Sequence, residues 1–461
     1  MAVRYYTGVQ GPITTAAESR ARVTVLWFAF LLAFVTYLDR VCISAAAPYI
    51  SDELHLTTRQ MGVALSAFAL AYAVFEIPSG WLADVIGPRK VLTRIVLWWS
   101  AFTMLTSAAA GYVSLVAIRF FFGAGEAGAL PSASNCIARW FPVSERGKAN
   151  GALLFGTRIG GMVSVPLVLQ IIRLWGWRAS FVIVGTVGLV WAVAWYAWYR
   201  DSPASHPSVS ASELAWIQQD RHIGREVQEG RGRQVGQVGH DGHASTPWRA
   251  IAGSTNLWAI CAMYFTYGYG LYFYFTWLPT YLIRVLGFSE LSGGLLAGLP
   301  FLCAGAANLA GGWLTDMLAK TRGLRTARCH LGFASFFAGA LLTFASTLVP
   351  QPIAKAVLLA VALGSVDLAL SACWAVCLDI GRAHAGVVTG CMNTFSNLGG
   401  VLTPLVVAYA VEHWQSWTFP FYVTAVVYAA GALAWLAIDP TRPIVAAAPR
   451  GATLSGSPMR A

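Results

Sequence analysis

Apolar stretches of about 18 to 28 residues recur along almost the whole chain, parted by short polar or turn-forming breaks. They fall at residues 23–50, 59–83, 91–111, 113–139, 149–172, 178–199, 255–284, 290–315, 329–350, 353–379, 383–412 and 416–438. Each is long enough for a helix to cross a bilayer and far longer than the ~10-residue alternating strands of a membrane barrel. The pattern predicts an all-α membrane protein of twelve transmembrane helices in two six-helix bundles. The breaks include Ser51-Asp52-Glu53, Gly87-Pro88-Arg89-Lys90, Ser144-Glu145-Arg146 and a long polar stretch near 201–250. The expected organisation is a tail at 1–22, a bundle at 23–200, a linker at 201–250, a second bundle at 251–438 and a tail at 439–461.

Composition agrees. Of 461 residues, 57% are hydrophobic and only 11% charged, less than half the charged share of a soluble domain. The net charge of +11 lies scattered over short loops, which argues against nucleic-acid binding and reads as topology. Basic residues cluster in alternate loops (Arg89, Lys90 and Arg94; Arg139, Arg146 and Lys148; Lys320, Arg322, Arg325 and Arg328), with few between them. This predicts both termini in the cytoplasm of a multi-pass plasma-membrane protein, the bacterial inner membrane. The first 22 residues are polar and end in Arg20 and Arg22 before a full-length span, so no cleaved signal peptide is expected. The eight Cys, mostly within spans, lack His partners at metal-ligand spacing and read as small core residues. No metal or cofactor is expected. In the linker, Ser210 and Glu213 have capping-box spacing ahead of Leu214, Trp216 and Ile217, predicting a short amphipathic helix on the membrane surface. Residues 224–246 read as disordered.

The halves repeat each other. Gly80-Trp81-Leu82-Ala83-Asp84 closes span 2 as Gly312-Trp313-Leu314-Thr315-Asp316 closes span 8, and Arg158-Ile159-Gly160-Gly161 with Pro166 is echoed by Asn397-Leu398-Gly399-Gly400 with Pro404. Parallel repeats point to a transporter that rocks about a central site. The set Gly80, Leu82, Asp84, Gly87, Arg89 and Lys90 resembles the loop motif of the major facilitator superfamily. Tyr37-Leu38-Asp39-Arg40 with Ser44, Gly125-Glu126-Ala127-Gly128 with Pro131, and Trp140-Phe141-Pro142 with Glu145-Arg146 resemble its anion:cation symporter family, which holds sugar-acid and sialin-like carriers.

Seven ionisable residues sit inside spans: Asp39, Arg40, Glu76, Arg119, Glu126, Arg158 and Asp367. Each costs about 2.5–3.5 kcal/mol at the bilayer centre, so only pairing or a shared cavity makes the load tolerable. Arg119 and Glu126 are two turns apart on one helix face and need a third group to meet, for which Asp39 is the natural candidate. A carboxylate wetted and dried in turn beside an arginine changes protonation, which is what proton coupling needs; a fixed ion-pair cluster is the alternative. The resemblance implies that Asp39 and Glu126 carry protons. Arg40, flanked on its face by Tyr37 and Ser44, suits a carboxylate on a hydroxylated chain. Arg158 reads either as a contact for a second anionic group or as the partner of Glu76, which follows Tyr72 by one turn. Glu76 itself either neutralises Arg158 or adds a proton site.

In the second half, Tyr267, Tyr274 and Trp277 share a helix face, as do Asp367, Ser371 and Trp374, and Asn393, Asn397 and Gly400; aromatic, hydroxyl and amide groups of this kind hold sugars. The resemblance implies that Ser371 and Asn393 contact substrate. Asp84 can meet the positive end of helix 11, with Arg89 or Lys90 bridging loop acids as a gate latch and Asp316 repeating it. The expected function is proton-coupled symport of an organic anion, a sugar acid such as a hexuronate, aldonate or aldarate, by a functional monomer. Efflux of an amphiphilic anion, uptake of another carboxylate and a transport-inactive sensor are the alternatives. No nucleophile–base pair or hydrolase motif supports an enzyme.

Overall fold

The computed structural model describes residues 20–217, 248–381 and 385–444. Among these residues every regular element is helical. The spans are α1 (Ala21–Glu53), α2 (Thr58–Ile86), α3 (Pro88–Thr106), α4 (Tyr112–Glu126 and Ala129–Trp140), α5 (143–175), α6 (177–198), α7 (Thr255–Thr276, continued by Leu278–Thr280 and Tyr281–Val285), α8 (Glu290–Arg322), α9 (Thr326–Leu348), α10 (Pro352–Asp367 and Leu370–Gly381), α11 (Ala385–Trp414) and α12 (Phe419–Leu436). Eight helical stretches are by themselves long and apolar enough to cross a membrane, and one of them contains both α5 and α6. α2, α3 and α7 fall short because charged residues or a ladder of tyrosines dilute them. They complete the twelve by packing among the others.

Two predicted spans are broken. α4 stops at Glu126 and restarts after Gly128, whose φ of 86° is a left-handed conformation that glycine adopts without strain. α10 stops at Asp367 and restarts at Leu370. The breaks occupy equivalent places in the two bundles, and each follows a carboxylate directly. α5 and α6 are joined by a single kink at Gly176, φ 80°.

Large apolar side chains such as Val190, Leu309, Leu378, Val426 and Leu433 are exposed on the outer surface, as a lipid-facing surface requires. The bundles meet along α2 against α11 and α5 against α8. Starts of α1 and α7 and the end of α12 define a terminal face; the opposite one is the far face. At the far face the bundles are tied: Asp52 pairs with Arg284, Tyr49 donates to Glu290, and the Arg59 amide donates to Glu412 at 3.1 Å. Deeper, between the far face and mid-depth, a Cβ on Gly298 of α8 would lie 2.5 Å from the Met162 carbonyl oxygen of α5, an approach only glycine permits. Toward the terminal face, Gly151 of α5 and Gly390 of α11 border open space.

Residues 211–217 of the linker are helical. The Glu213 amide donates to Ser210 Oγ at 3.2 Å, the expected cap. The segment does not simply lie on a surface, however. Glu213 is fully buried and accepts from the Arg22 amide at 3.2 Å, while the Arg22 guanidinium pairs with Glu145 at 2.8 Å. Ile217 is buried and Trp216 exposed, so the helix is docked on the first bundle. Residues 224–246 lie outside the described residues.

Candidate functional site

A narrow cavity of about 100 Å³ lies between the bundles at mid-depth, lined by α1, α2, α4 and α5 on one side and α7, α8, α10 and α11 on the other. Its walls include Tyr37, Arg40, Tyr72, Arg158, Tyr267, Trp374, Asn393 and Asn397, all singled out from the sequence.

Arg40 projects from α1 into an aromatic cage, its guanidinium carbon 4.6 Å from the Tyr72 ring centroid and 5.3 and 5.5 Å from Phe68 and Tyr37. Its Nε donates to Glu126 Oε1 at the α4 break. Desolvated cation–π contacts of this kind contribute about 2 kcal/mol, part of what holds a charge at this depth. Arg119, on the same α4 face as Glu126, makes no ion pair with it and lies over Phe122 and Phe68 at 4.4 and 5.1 Å. Asp39, the third group expected near them, does not line the cavity: it accepts from Thr103 Oγ1 of α3 at 2.8 Å, and it lies within electrostatic reach of both Arg119 and Glu126. Adjacent residues on a helix point about 100° apart, so Arg40 lines the cavity and Asp39 turns toward α3.

Arg158 of α5 pairs across the bundle interface with Asp367 of α10 at 2.6 Å and donates to Tyr267 Oη at 3.2 Å; Tyr267 in turn donates to Asp367 at 2.9 Å. Its partner is therefore Asp367, not Glu76. Glu76 instead accepts from the amides of Asn393 and Asn397 (3.3 Å for the latter), a second link between bundles. Close approach of α5 to α1 aims Arg158 inward: a Cβ on Gly160 would lie 2.6 Å from the Phe34 carbonyl and 3.0 Å from Tyr37 Cβ.

Three predicted contacts lie away from the cavity. Ser44 is fully buried and donates to its own helix at Val41 O, 2.8 Å. Tyr274 donates to the Leu359 carbonyl inside the second bundle at 2.8 Å, and Trp277 packs edge-on against Trp417. The face they share with Tyr267 wraps around a helix buried on most sides, so only its first member reaches the cavity. Ser371 lies next to the wall and donates to Asn308 Oδ1 at 2.7 Å. Asn308, Tyr264, which stacks on Tyr267 at 4.9 Å, and Tyr272, which donates to Asn397 at 2.9 Å, were not anticipated. Asn308, a lone amide in an apolar run, was the readable signal among them.

In the loop motif, Gly87 has φ 95° and faces the Asp201 carboxylate. The Arg89 amide donates to Asp201 at 2.9 Å, and its guanidinium caps the Tyr196 carbonyl at 2.7 Å instead of bridging to an acid. Lys90 and Asp316 are exposed. The side chains at Gly80 and Asp84 lie outside the described ones.

A twelve-helix fold with repeated halves around a charged central cavity defines a membrane carrier. The chain matches the family model of the Major Facilitator Superfamily over residues 29–404, and it belongs to that family. It is 37% identical to the probable sulfoacetate transporter of Cupriavidus necator over 91% of this chain and 94% of that protein. It is 28% identical to the hexuronate transporter of Bacillus subtilis over 87% and 90%. In fold it is similar to the crystal structure of a bacterial homologue of the human lysosomal transporter Spinster in an inward-facing, unoccupied conformation: TM-score 0.67, 18% identity, covering 92% of this chain and 95% of that one. The chain is a transporter, not an enzyme, and a multi-pass integral membrane protein.

Proposed function

We propose that this carrier is a proton-coupled symporter taking up a small organic anion, a sugar acid or a comparably small acid, by rocking its two bundles about the central cavity. The observation that carries the reading is Arg40, caged by aromatic rings on the cavity wall and paired with Glu126. A guanidinium in a dry, narrow site is a strong anion anchor, and its carboxylate partner is the group whose protonation frees it. Charge balance supports proton coupling. About the cavity, Arg40 and Arg158 stand against the buried acids Glu76, Glu126 and Asp367, so the fully ionised site carries one excess negative charge and repels an anion until an acid takes up a proton. Glu126 is the first such acid and Asp39, held apart on Thr103, the second. The relatives, named for sulfoacetate and hexuronate, support an organic anion in general. With the termini cytoplasmic in a bacterial inner membrane and the far face tied, the carrier faces inward and works as a monomer, with Asp84, Arg89 and Asp316 serving gate movement.

The test is uptake in proteoliposomes with an imposed inward proton gradient, read by a pH dye, for galacturonate, glucuronate, gluconate, galactonate, glucarate and sulfoacetate. Substrate-dependent proton entry is expected in the wild type and lost in Glu126→Gln. Silence with every anion, from folded protein, refutes the proposal.

A further inference from the structure

The cavity wall carries two arginines, and they are used alike. Arg40 commits Nε to Glu126 and Arg158 commits Nη2 to Asp367. On each guanidinium another nitrogen, Nη2 of Arg40 and Nη1 of Arg158, is buried without a hydrogen-bond partner, on side chains only 10% and 7% exposed. Leaving such a donor dry is costly, and the large majority in native proteins are satisfied. The two carboxylates end the first segments of α4 and α10, so the arrangement repeats across the bundles: a broken helix, an acid at the break, and an arginine that commits one nitrogen to the acid and keeps another unpaired.

The spacing follows from packing. Gly160 abuts α1 between Phe34 and Tyr37, which sets Arg158 level with about residue 33 of α1. Arg40 is then roughly two turns, ~10 Å, further along the same direction. The guanidiniums reach across to Glu126 and Asp367, and the cavity of about 100 Å³ that both arginines line leaves room between them for a short molecule.

We infer that the substrate is a small dianion with its charged groups at opposite ends, one on the free edge of Arg40 and the other on the free edge of Arg158. This rests on the organic-anion reading above and narrows it. Arg158 keeps Asp367 when substrate binds, so that buried pair stays intact, while protonation of Glu126 releases Arg40 to the anion. A monoanion satisfies Arg40 and leaves Arg158 Nη1 dry. Arg158 is thus the residue that selects for the second charge, and the Arg158–Asp367 pair, which crosses between bundles, connects that recognition to the moving interface.

The experiment compares half-saturating concentrations in solid-supported-membrane currents for matched pairs at pH 7.5: sulfoacetate against acetate, malonate against acetate, and glucarate against gluconate. The wild type is expected to favour at least one dianion over its monoanionic partner by about tenfold or more, the equivalent of one charged hydrogen bond. The pair that responds identifies a sulfonate–carboxylate, a short dicarboxylate or a long one. Arg158→Gln is expected to abolish the preference, the dianion losing about tenfold more affinity than its monoanionic partner. The double variant Arg158→Gln with Asp367→Asn leaves no lone buried charge and is expected to give the same loss, which covers the case in which the single variant does not fold. Equal affinity for both members of every pair overturns the inference, as does a variant that weakens both members equally. If no anion of any charge gives either a current or a pH-dye signal of proton entry, the organic-anion reading itself falls; if monoanions alone do, only the dianion inference falls.

Discussion

Replacing Gly298 by alanine tests how the bundles close. A methyl group there meets the Met162 carbonyl oxygen at 2.5 Å, and a backbone carbonyl in the middle of α5 cannot turn aside as a flexible side chain could. The clash exists only while the far ends of α5 and α8 are together, so it penalises one conformation. Overpacking of this kind costs about 1–3 kcal/mol, which shifts the ratio of the two conformations about 5- to 150-fold toward the one with the far face open. The far-face ion pair does not offset this, since Asp52 and Arg284 are exposed and such pairs contribute about 0–1 kcal/mol. Spin labels at Leu174 and Leu291, exposed positions near the far ends of α5 and α8, report the change by pulsed electron resonance once Cys303 and Cys391 are replaced by alanine. The wild type is expected to give mainly the short distance and Gly298→Ala a longer one, with slower transport. A single short distance in the variant, with transport intact, refutes the packing argument.

Further outcomes follow from buried charge. Asp367→Asn strands Arg158 in the interior and is expected to cost about 3–5 kcal/mol, seen as a lower melting temperature in detergent, whereas adding Arg158→Gln recovers much of the loss. Strictly additive effects would refute the pairing. Near the linker, His206 sits between Trp140 and Trp198, its Nε2 3.0 Å from the Trp198 carbonyl and its Nδ1 accepting from the Ser208 amide at 3.1 Å, an arrangement that fits the neutral ring. Burial holds this imidazole below its ordinary range, and the positive Arg200 acts the same way. A lowered folded value means that the stability is present above about pH 6.5 and lost as pH falls below it. Melting curves from pH 7.5 to 5 should therefore show the wild type losing its advantage over His206→Gln; a pH-independent difference would refute this.

The chain by itself determined the fold class, because a bilayer admits helices of one length and no unsatisfied backbone, and twelve apolar runs leave little choice. It also disclosed the cavity's charges, since an ionisable group in a span must find a partner or a cavity, and Arg40, Glu76 and Arg158 all stand on or beside it. Periodicity along one helix could not say which partner each would find. That was decided by which helices came together: Asp367 rather than Glu76 opposite Arg158, Thr103 as the hydrogen-bond donor to Asp39, and Asn393 with Asn397 around Glu76. The breaks after Glu126 and Asp367 were equally unreadable, for a run of apolar residues looks the same whether the helix continues or restarts two residues on. Nor could a shared helix face tell Tyr267, at the cavity, from Tyr274, bonded to Leu359. Pairing between distant segments is set by the geometry of packed helices, and that exists only once all of them are assembled.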